Sequence, residues 1–440
     1  MLFKKTRENA LEIFNKAIKA ANPKRCITEN VKLKDRTLLI NKKEYDLDQF
    51  KSIYVISVGK ASVQMAMGIE GILRDKITGG IVISNKKGHK LSKLQFYSSS
   101  HPIPNEKSLN AADKILQILN KAKENDLVIF LISGGGSALI AKPYQGLSLQ
   151  DLKKTTEALL RSGVDKYGLN IVRKHISQIK GGGLLEKALP ATIINLVLSN
   201  VVGDRLDAIA SGPSVPDTTS FEDSCRVIEA LNVEHRIPPS VLLHLENGRR
   251  GNIVETVKKD SFDTNNIQTF IVGNNMNSLI SCENKARQFG YNTFILTSQI
   301  SGESREVAKV VAGIAFDIER FNMPVKKPAC LIFGGETYVN LKGTGKGGRN
   351  TELALSFSME IMNHNIVGLF CDTDGIDGPI NAAGAICDGN SRIRARELGI
   401  SAREHLTQNN SYEFFKKLGD LIITGVTGTN VMDIGIVLIN

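Results

Sequence analysis

Four apolar runs in this chain each end in a polar turn, and that recurrence constrains the fold more than any other feature. "IYVISVG" (53–59) is followed by Lys60 within "KASVQMAMGIEGIL" (60–73), whose apolar residues fall at helical spacing. "LVIFLI" (127–132) runs into "SGGGSAL" (133–139), "ATIINLVLS" (191–199) into "SNVVGD" (199–204), and "IVGLFCD" (366–372) into "CDTDGIDG" (371–378). Apolar runs without alternation read as strands buried on both faces. "GGIVIS" (79–84) adds another, and "SLNAADKILQILNKAKE" (108–124) an amphipathic helix between strands. This alternation predicts a parallel sheet with helices on both faces. Ligands of such sheets bind beyond the carboxyl ends of the strands, where these polar turns fall.

The pattern breaks near 245–266, where "ENGRRGNIVETVKKDSFDTNN" is polar, charged and aperiodic. A domain connection there divides the chain into 1–245, a Rossmann-like three-layer domain with a parallel sheet, and 246–440. In the second part "IQTFIVG" (267–273), "YNTFILT" (291–297), "ACLIFGG" (329–335), "TYVNLKG" (337–343), "IVGLFCD" and "DLIITG" (420–425) read as strands. "GGETYVNLKG" (334–343) reads as an antiparallel hairpin, so this second α/β domain is expected to carry a mixed sheet.

Composition serves to exclude. The 440 residues are 42% hydrophobic and 23% charged, an ordinary soluble balance. "LVIFLI" is far too short to cross a bilayer, and "MLFKKTRENALEIFNKAIKAA" lacks a signal-peptide pattern, so a cytoplasmic protein without a membrane partner is expected. The net charge of +11 is scattered, aromatics are 6% and Trp is absent, so nucleic acid is not an expected partner. The charge suits small anionic substrates instead. Six cysteines lie no closer than 16 residues apart, so neither a zinc site nor a disulfide is expected.

The candidate chemistry sits in the polar turns. Lys60 opens a helix, where a cation opposes the dipole, and such a local conflict marks a functional residue. Gly134, Gly135 and Gly136, with Ser133 and Ser137, let backbone N–H groups approach an anion, although a bare tight turn has the same pattern. Asp204 reads as a helix cap or a site carboxylate. Asp372, Asp374 and Asp377 have calcium-loop spacing, but the twelfth place is Ala383, so magnesium with a nucleotide fits better. "GTGKGGRNTE" (343–352) reads as a flexible segment carrying Lys346 and Arg349, whose planar fork suits carboxylate or phosphoryl oxygens, or else as a surface hairpin exit. GxxxxGK[ST], GxSxG and an early GxGxxG are all absent. What the residues describe is an α/β enzyme for small, phosphorylated anions.

Several stretches resemble the glycerate 2-kinases with a C-terminal MOFRL domain. The most specific are "GGETYVNLKGTGKGGRNTELAL" (334–355), "DTDGIDGPINAAGAICDG" (372–389) and "TGVTGTNVMDIGIVLI" (424–439). "SVGKAS", "SGGGSAL", "RKHISQIKGGGLL" (173–185) and "SNVVGDRLDAIASGP" (199–213) follow the same family's order, so the resemblance covers nearly the whole chain. It implies phosphoryl transfer from ATP to the 2-hydroxyl of D-glycerate, with Mg²⁺, in a cleft between two domains. It implies Lys60, Asp204, Arg349 and Asp374 as catalytic residues, Asp204 and Asp374 also as metal candidates, and Ser133, Gly134, Gly135, Gly136 and Ser137 as the nucleotide side. D-glycerate and ATP are the expected partners, with room for a homodimer. Asn200, Arg205 and Val426 depart from the family's usual residues. Two rival readings stay open. One is a hydroxypyruvate reductase-type oxidoreductase, which the lack of a GxGxxG after the first strand disfavours. The other is a non-catalytic sugar-acid or nucleotide-binding protein, which the cations and carboxylates disfavour.

Overall fold

Runs of Val, Ile and Leu become central strands because they offer no polar face to water. In the computed structural model, which describes residues 3–85, 91–263 and 265–440, they build two six-stranded sheets in two compact units. One unit comprises Pro23–Ser199 and Asp204–Val272. The other comprises the chain up to Asn22, Asn200–Gly203 and Gly273–Asn440.

The first of these units opens with the helix Pro23–Asn30 and a small antiparallel sheet, β1 (Val31–Lys34), β2 (Thr37–Ile40) and β3 (Lys43–Asp46). Its main sheet contains β4 (Ser52–Val58), β5 (Gly79–Ser84), β6 (Gln95–Ser98), β7 (Asp126–Ser133), β8 (Thr192–Leu198) and β9 (Ile267–Gly273), in the order β6-β5-β4-β7-β8-β9. The pairings from β6 through β8 are all parallel. All eight residues of β7 are buried, and each large apolar side chain so placed stabilises the fold by about 1.5–3 kcal/mol. The helix Ser62–Leu73 buries Val63, Ala66, Ile69 and Leu73 at helical spacing and packs on β4 and β5. From β4 the chain builds outward to β6, then returns past β4 to build the other way from β7. The carboxyl ends of β4 and β7 therefore flank a topological switch point, where such sheets bind ligands.

The run 267–273, expected in the second domain, is β9 and extends this parallel sheet. Ile193 N donates to Asn266 O at 2.8 Å, and Asn195 Nδ2 to Thr269 Oγ1 at 3.0 Å. The expected cut at 245/246 falls inside the helix Pro239–Arg249. A polar, aperiodic stretch marks a surface path, and here that path returns to the same sheet.

The other unit holds β10 (Asn292–Ile300), β11 (Ala329–Gly335), β12 (Ile366–Asp372), β13 (Gly384–Asp388), β14 (Leu421–Ile422) and β15 (Asp433–Ile439), in the order β10-β11-β15-β12-β13-β14. Only β10 and β11 pair in parallel, so this sheet is mixed, as expected. The hairpin expected over 334–343 does not form. Both edges of β11 are occupied, by β10 and β15, so the chain after Gly335 leaves the sheet, and Tyr338 N donates to Gly302 O at 3.0 Å. The helix Lys4–Ala20, placed by sequence with residues 1–245, packs here instead. Its Ala10, Ile13, Phe14 and Ala17 join one buried cluster with Leu279, Ile434 and Leu438. Among the described residues no helix is long and apolar enough to cross a membrane.

Candidate active site

Segments far apart in sequence meet at the switch point of the parallel sheet. The turn after β4 is tied to the turn after β7: Lys60 N donates to Gly134 O at 2.8 Å and Ala61 N to Ser133 Oγ at 3.1 Å. Ser133 is buried, and its hydroxyl serves this join. Gly135 has φ +86°, and a Cβ on it would stand 3.0 Å from Lys60 Cγ and 3.2 Å from His101 Cδ2. Lys60 and His101 thus flank the glycine turn. Burial and the neighbouring Lys60 push His101 down to about 4, so its ring is neutral near pH 7.

A third segment closes on the same turn. A Cβ on Gly136 would stand 2.7 Å from that of Ala210. The Ser137 and Ser211 hydroxyls lie 2.7 Å apart, and Ser211 Oγ donates to Asn170 Oδ1 at 2.9 Å. Asp204, Ala210 and Ser211 all have positive φ, at 54°, 54° and 62°. Each such residue costs about 1–3 kcal/mol and persists only where its surroundings hold it, a pattern that gathers at functional sites. Asp204 sits half-buried in this loop. From a fourth segment, buried Lys174 pairs with Asp217 at 2.6 Å and Asp207 at 3.2 Å, and His175 with Glu255 at 2.9 Å.

In the mixed sheet, strand register assembles the acids. Because β15 runs antiparallel between β11 and β12, its first residue, Asp433, stands opposite both Gly335 and Asp372. Glu336 follows β11 directly. Arg349, the first residue of the helix Arg349–Glu360, answers all three carboxylates. Its Nε and Nη2 donate to the two oxygens of Asp433 at 2.6 and 2.9 Å, Nη2 also to Asp372 at 2.5 Å, and Nη1 to Glu336 at 3.0 Å. Burial works against the guanidinium's charge, but the three acids outweigh it and raise its pKa. Burial, with repulsion from Asp433, pushes Asp372 well up, and burial raises Asp433 despite Arg349.

Around this core, Asp374 N donates to Asp372 Oδ1 at 2.8 Å, and Asn430 Nδ2 to Asp374 Oδ2 at 3.1 Å. Asp377 is different: it accepts from the amides of Asn350 and Thr351 at 2.9 and 2.8 Å and caps the helix that starts at Arg349. Burial pushes it up to about 6 against those hydrogen bonds.

The expected quartet therefore falls two by two, with Lys60 and Asp204 in one unit and Arg349 and Asp374 in the other. Lys60 lies beside the Ser133–Ser137 turn, and Arg349 and Asp374 meet through Asp372. The segment read as flexible before Arg349 has a different reason for its glycines. A Cβ on Gly343 or Gly345 would lie 2.5 or 2.4 Å from the backbone of Gln408, and one on Gly348 2.2 Å from Asp377 O. Asn409 Oδ1 accepts the Lys342 and Gly343 amides at 2.7 and 2.9 Å. His101, Asn170, Ser211, Glu336 and Asp433 were missed. Asp433 had one signal, a lone acid heading the apolar run "DIGIVLI".

A domain of unknown function, DUF4147, matches residues 9–246, and the MOFRL family matches residues 329–433, a span that holds Arg349, Asp372, Asp374 and Asp433. A Pyrococcus horikoshii protein named glycerate 2-kinase is 43% identical over 434 residues, covering 98% of this chain and 97% of that one. The crystal structure of a Thermotoga maritima glycerate kinase is 36% identical, with a TM-score of 0.86 over 99% of this chain and 100% of that one. An Agrobacterium vitis protein that bears a hydroxypyruvate reductase name is 36% identical, over 98% of this chain and 94% of that one.

Proposed function

The chain belongs to the glycerate kinase family that joins a DUF4147 domain to a MOFRL domain, and from that membership we propose that it phosphorylates D-glycerate at the 2-hydroxyl, using ATP and releasing 2-phosphoglycerate and ADP. The observation that carries the reading is the Gly134–Ser137 turn at the β4/β7 switch point, with Lys60 beside it. Phosphoryl transfer asks for positioning and charge neutralisation more than for covalent chemistry. The turn's amides hold the ATP phosphates, and Lys60 neutralises charge as the phosphoryl group moves. The 2-hydroxyl oxygen attacks the γ-phosphorus, the bond from that phosphorus to the β–γ bridging oxygen breaks, and the hydroxyl proton passes to Asp204 or Asp374.

Arg349 takes a narrower role than its fork suggests. A guanidinium has five N–H donors, and four are spent on Asp433, Asp372 and Glu336. One N–H remains for the substrate, so Arg349 acts mainly by fixing the acids around Asp374. Mg²⁺ supplies charge neutralisation at the nucleotide phosphates when bound. The donor set fits it. Mg²⁺ takes one or two carboxylates and completes its shell from phosphate and water oxygens, and Asp374 and Asp204 are half-buried carboxylates of that kind. Among the described residues no three or more His, Cys, Asp or Glu are arranged to hold an ion, and Mg²⁺ that arrives with a nucleotide needs no such cage.

The name borne by the Agrobacterium vitis relative keeps one rival in play, reduction of hydroxypyruvate by a nicotinamide. A paired assay separates the two. ADP release dependent on D-glycerate, with the phosphorus spectrum of 2-phosphoglycerate, is the expected result. NADH oxidation with hydroxypyruvate and no ADP release overturns it.

A further inference from the structure

The segment "RKHISQIKGGGLL" carries four basic residues that the proposed reaction leaves unused. The structure sorts them into two kinds. Lys174 and His175 are buried against carboxylates, Asp217 and Asp207 for the first and Glu255 for the second. Arg173 and Lys180 are not. Arg173 Nε donates to Thr156 Oγ1 at 3.3 Å, and among the described residues no carboxylate pairs with Arg173 or Lys180. Lys180 is only 5% exposed, and a buried ammonium without a counter-ion is costly. Burial, then the nearby Arg173, pull its pKa down to about 7.

What Lys180 does touch is the glycine turn. Its Nζ donates to Ser137 O at 2.9 Å and to Ile140 O at 3.2 Å. Ser99 Oγ donates to Leu139 O at 2.6 Å. The carbonyl end of the one-turn helix Gly136–Leu139 is thus held by two side chains, and the charged one takes two of the three carbonyls. The first-turn amides of Gly136 and Ser137, at the opposite end, have no intrahelical acceptor. A carboxylate beside Lys180 would have removed the burial cost, and it would also have cancelled the positive potential behind those amides.

We propose that Lys180 is a positioning residue for polyphosphate: its charge, left without an acid, orients the Gly134–Ser137 turn and adds to the potential that the turn presents. The inference rests on the reading of that turn as the ATP phosphate cradle. The nucleotide itself supplies the balancing negative charge.

Lys180→Gln keeps a donor for Ser137 O and removes the charge, while Lys180→Met removes both. The readouts are KM for ATP, KM for D-glycerate, and the Kd of inorganic tripolyphosphate measured by calorimetry without glycerate. Both variants are expected to raise KM for ATP and the tripolyphosphate Kd at least tenfold, to leave KM for glycerate within twofold, and to melt no lower than wild type, since a costly buried charge is gone. If Lys180→Met does not fold, Lys180→Gln decides. Lys180→Gln with wild-type ATP and tripolyphosphate constants overturns the proposal, and so does a rise confined to glycerate. Gly135→Val tests the underlying reading separately. If it leaves wild-type tripolyphosphate binding unchanged, the cradle is wrong; if it abolishes binding while Lys180→Gln does not, only the role of Lys180 falls.

Discussion

Gly134–Gly136 and the glycines between 343 and 348 both lead into a helix, yet a carbon added to each meets a different kind of neighbour. At Gly135 it meets the side chains of Lys60 and His101. At Gly343, Gly345 and Gly348 it meets the backbone of Gln408 and Asp377. The first turn keeps a cation and an imidazole beside an open backbone. The second lets two stretches of chain lie against each other. The charges differ in the same sense. Near the first turn Lys180 pairs with no acid among the described residues, whereas near the second Asp433, Asp372 and Glu336 share one guanidinium. A glycine run therefore signals close approach, and only the partner says whether a ligand or the chain itself is approaching.

The sharpest way to break this contrast is Arg349→Met. Removing the single cation leaves Asp372 and Asp433 buried together, at an expected cost of about 3–5 kcal/mol. Both carboxyls are already raised, and without Arg349 they rise further. The folded mutant then favours their protonated form more than the folded wild type does, so the deficit is smallest in acid and grows as pH rises through the already raised folded-state values of these carboxyls. Urea denaturation at pH 5 and pH 8 measures it, and equal stability to wild type at both values refutes the account of the cluster. Arg349→Lys keeps the charge and loses the fork. We expect kcat/KM for glycerate to fall roughly 10²-fold, about 3 kcal/mol, with a lower melting temperature as well.

Two glycine substitutions sharpen the comparison directly. Gly348→Ala drives a methyl into Asp377 and is expected to cost about 1–3 kcal/mol of stability, with KM for ATP unchanged in the folded fraction. Gly135→Val is expected to raise KM for ATP about tenfold, with KM for glycerate held, because φ is positive there and a branched side chain crowds Lys60. Matching phenotypes for the two variants would erase the distinction. The smallest effect concerns the His175–Glu255 pair. Burial raises Glu255, but hydrogen bonds from His175 and from the Phe221 and Thr256 amides prevail and hold it at about 2. Its stabilising share is present above about pH 4.5 and is lost as pH falls toward 2. The stability gap between wild type and Glu255→Gln should close over that window in acid titrations followed by circular dichroism.

What the sequence disclosed follows from locality. β4, β7, β8, β11 and β12 announced themselves as unbroken apolar runs, and Lys60 with the Ser133–Ser137 turn came with them. β1 and β3 are four-residue strands with exposed, charged positions, and β2 between them is only the four residues TLLI, too short a run to stand out as a strand. β9 was legible as a strand but not as a member of the first sheet, since pairing beside β8 is a property of the whole topology. The acid cluster was hidden for the same reason. Asp433 lies 61 residues beyond Asp372, and only the antiparallel register of β15 makes them neighbours. Arg349 was legible as a candidate but its surroundings were not: four nearby glycines suggested a flexible segment, while the side chains and backbone that pin it lie at 408–411.

The helix Lys4–Ala20 carries a cost that arises during synthesis. A ribosome makes its apolar stripe of Ala10, Ile13, Phe14 and Ala17 first, but Leu279, one of the residues that cover it, comes about 260 residues later. At 5–20 residues per second that stripe waits roughly 13–50 s in the nascent chain. Meanwhile the unit from Pro23 to Val272 can be completed inside the interval. Chaperone occupancy early in translation is therefore expected at residues 10–17, and a chain relieved of this helix should yield a second half that comes off the ribosome with an oily groove and aggregates.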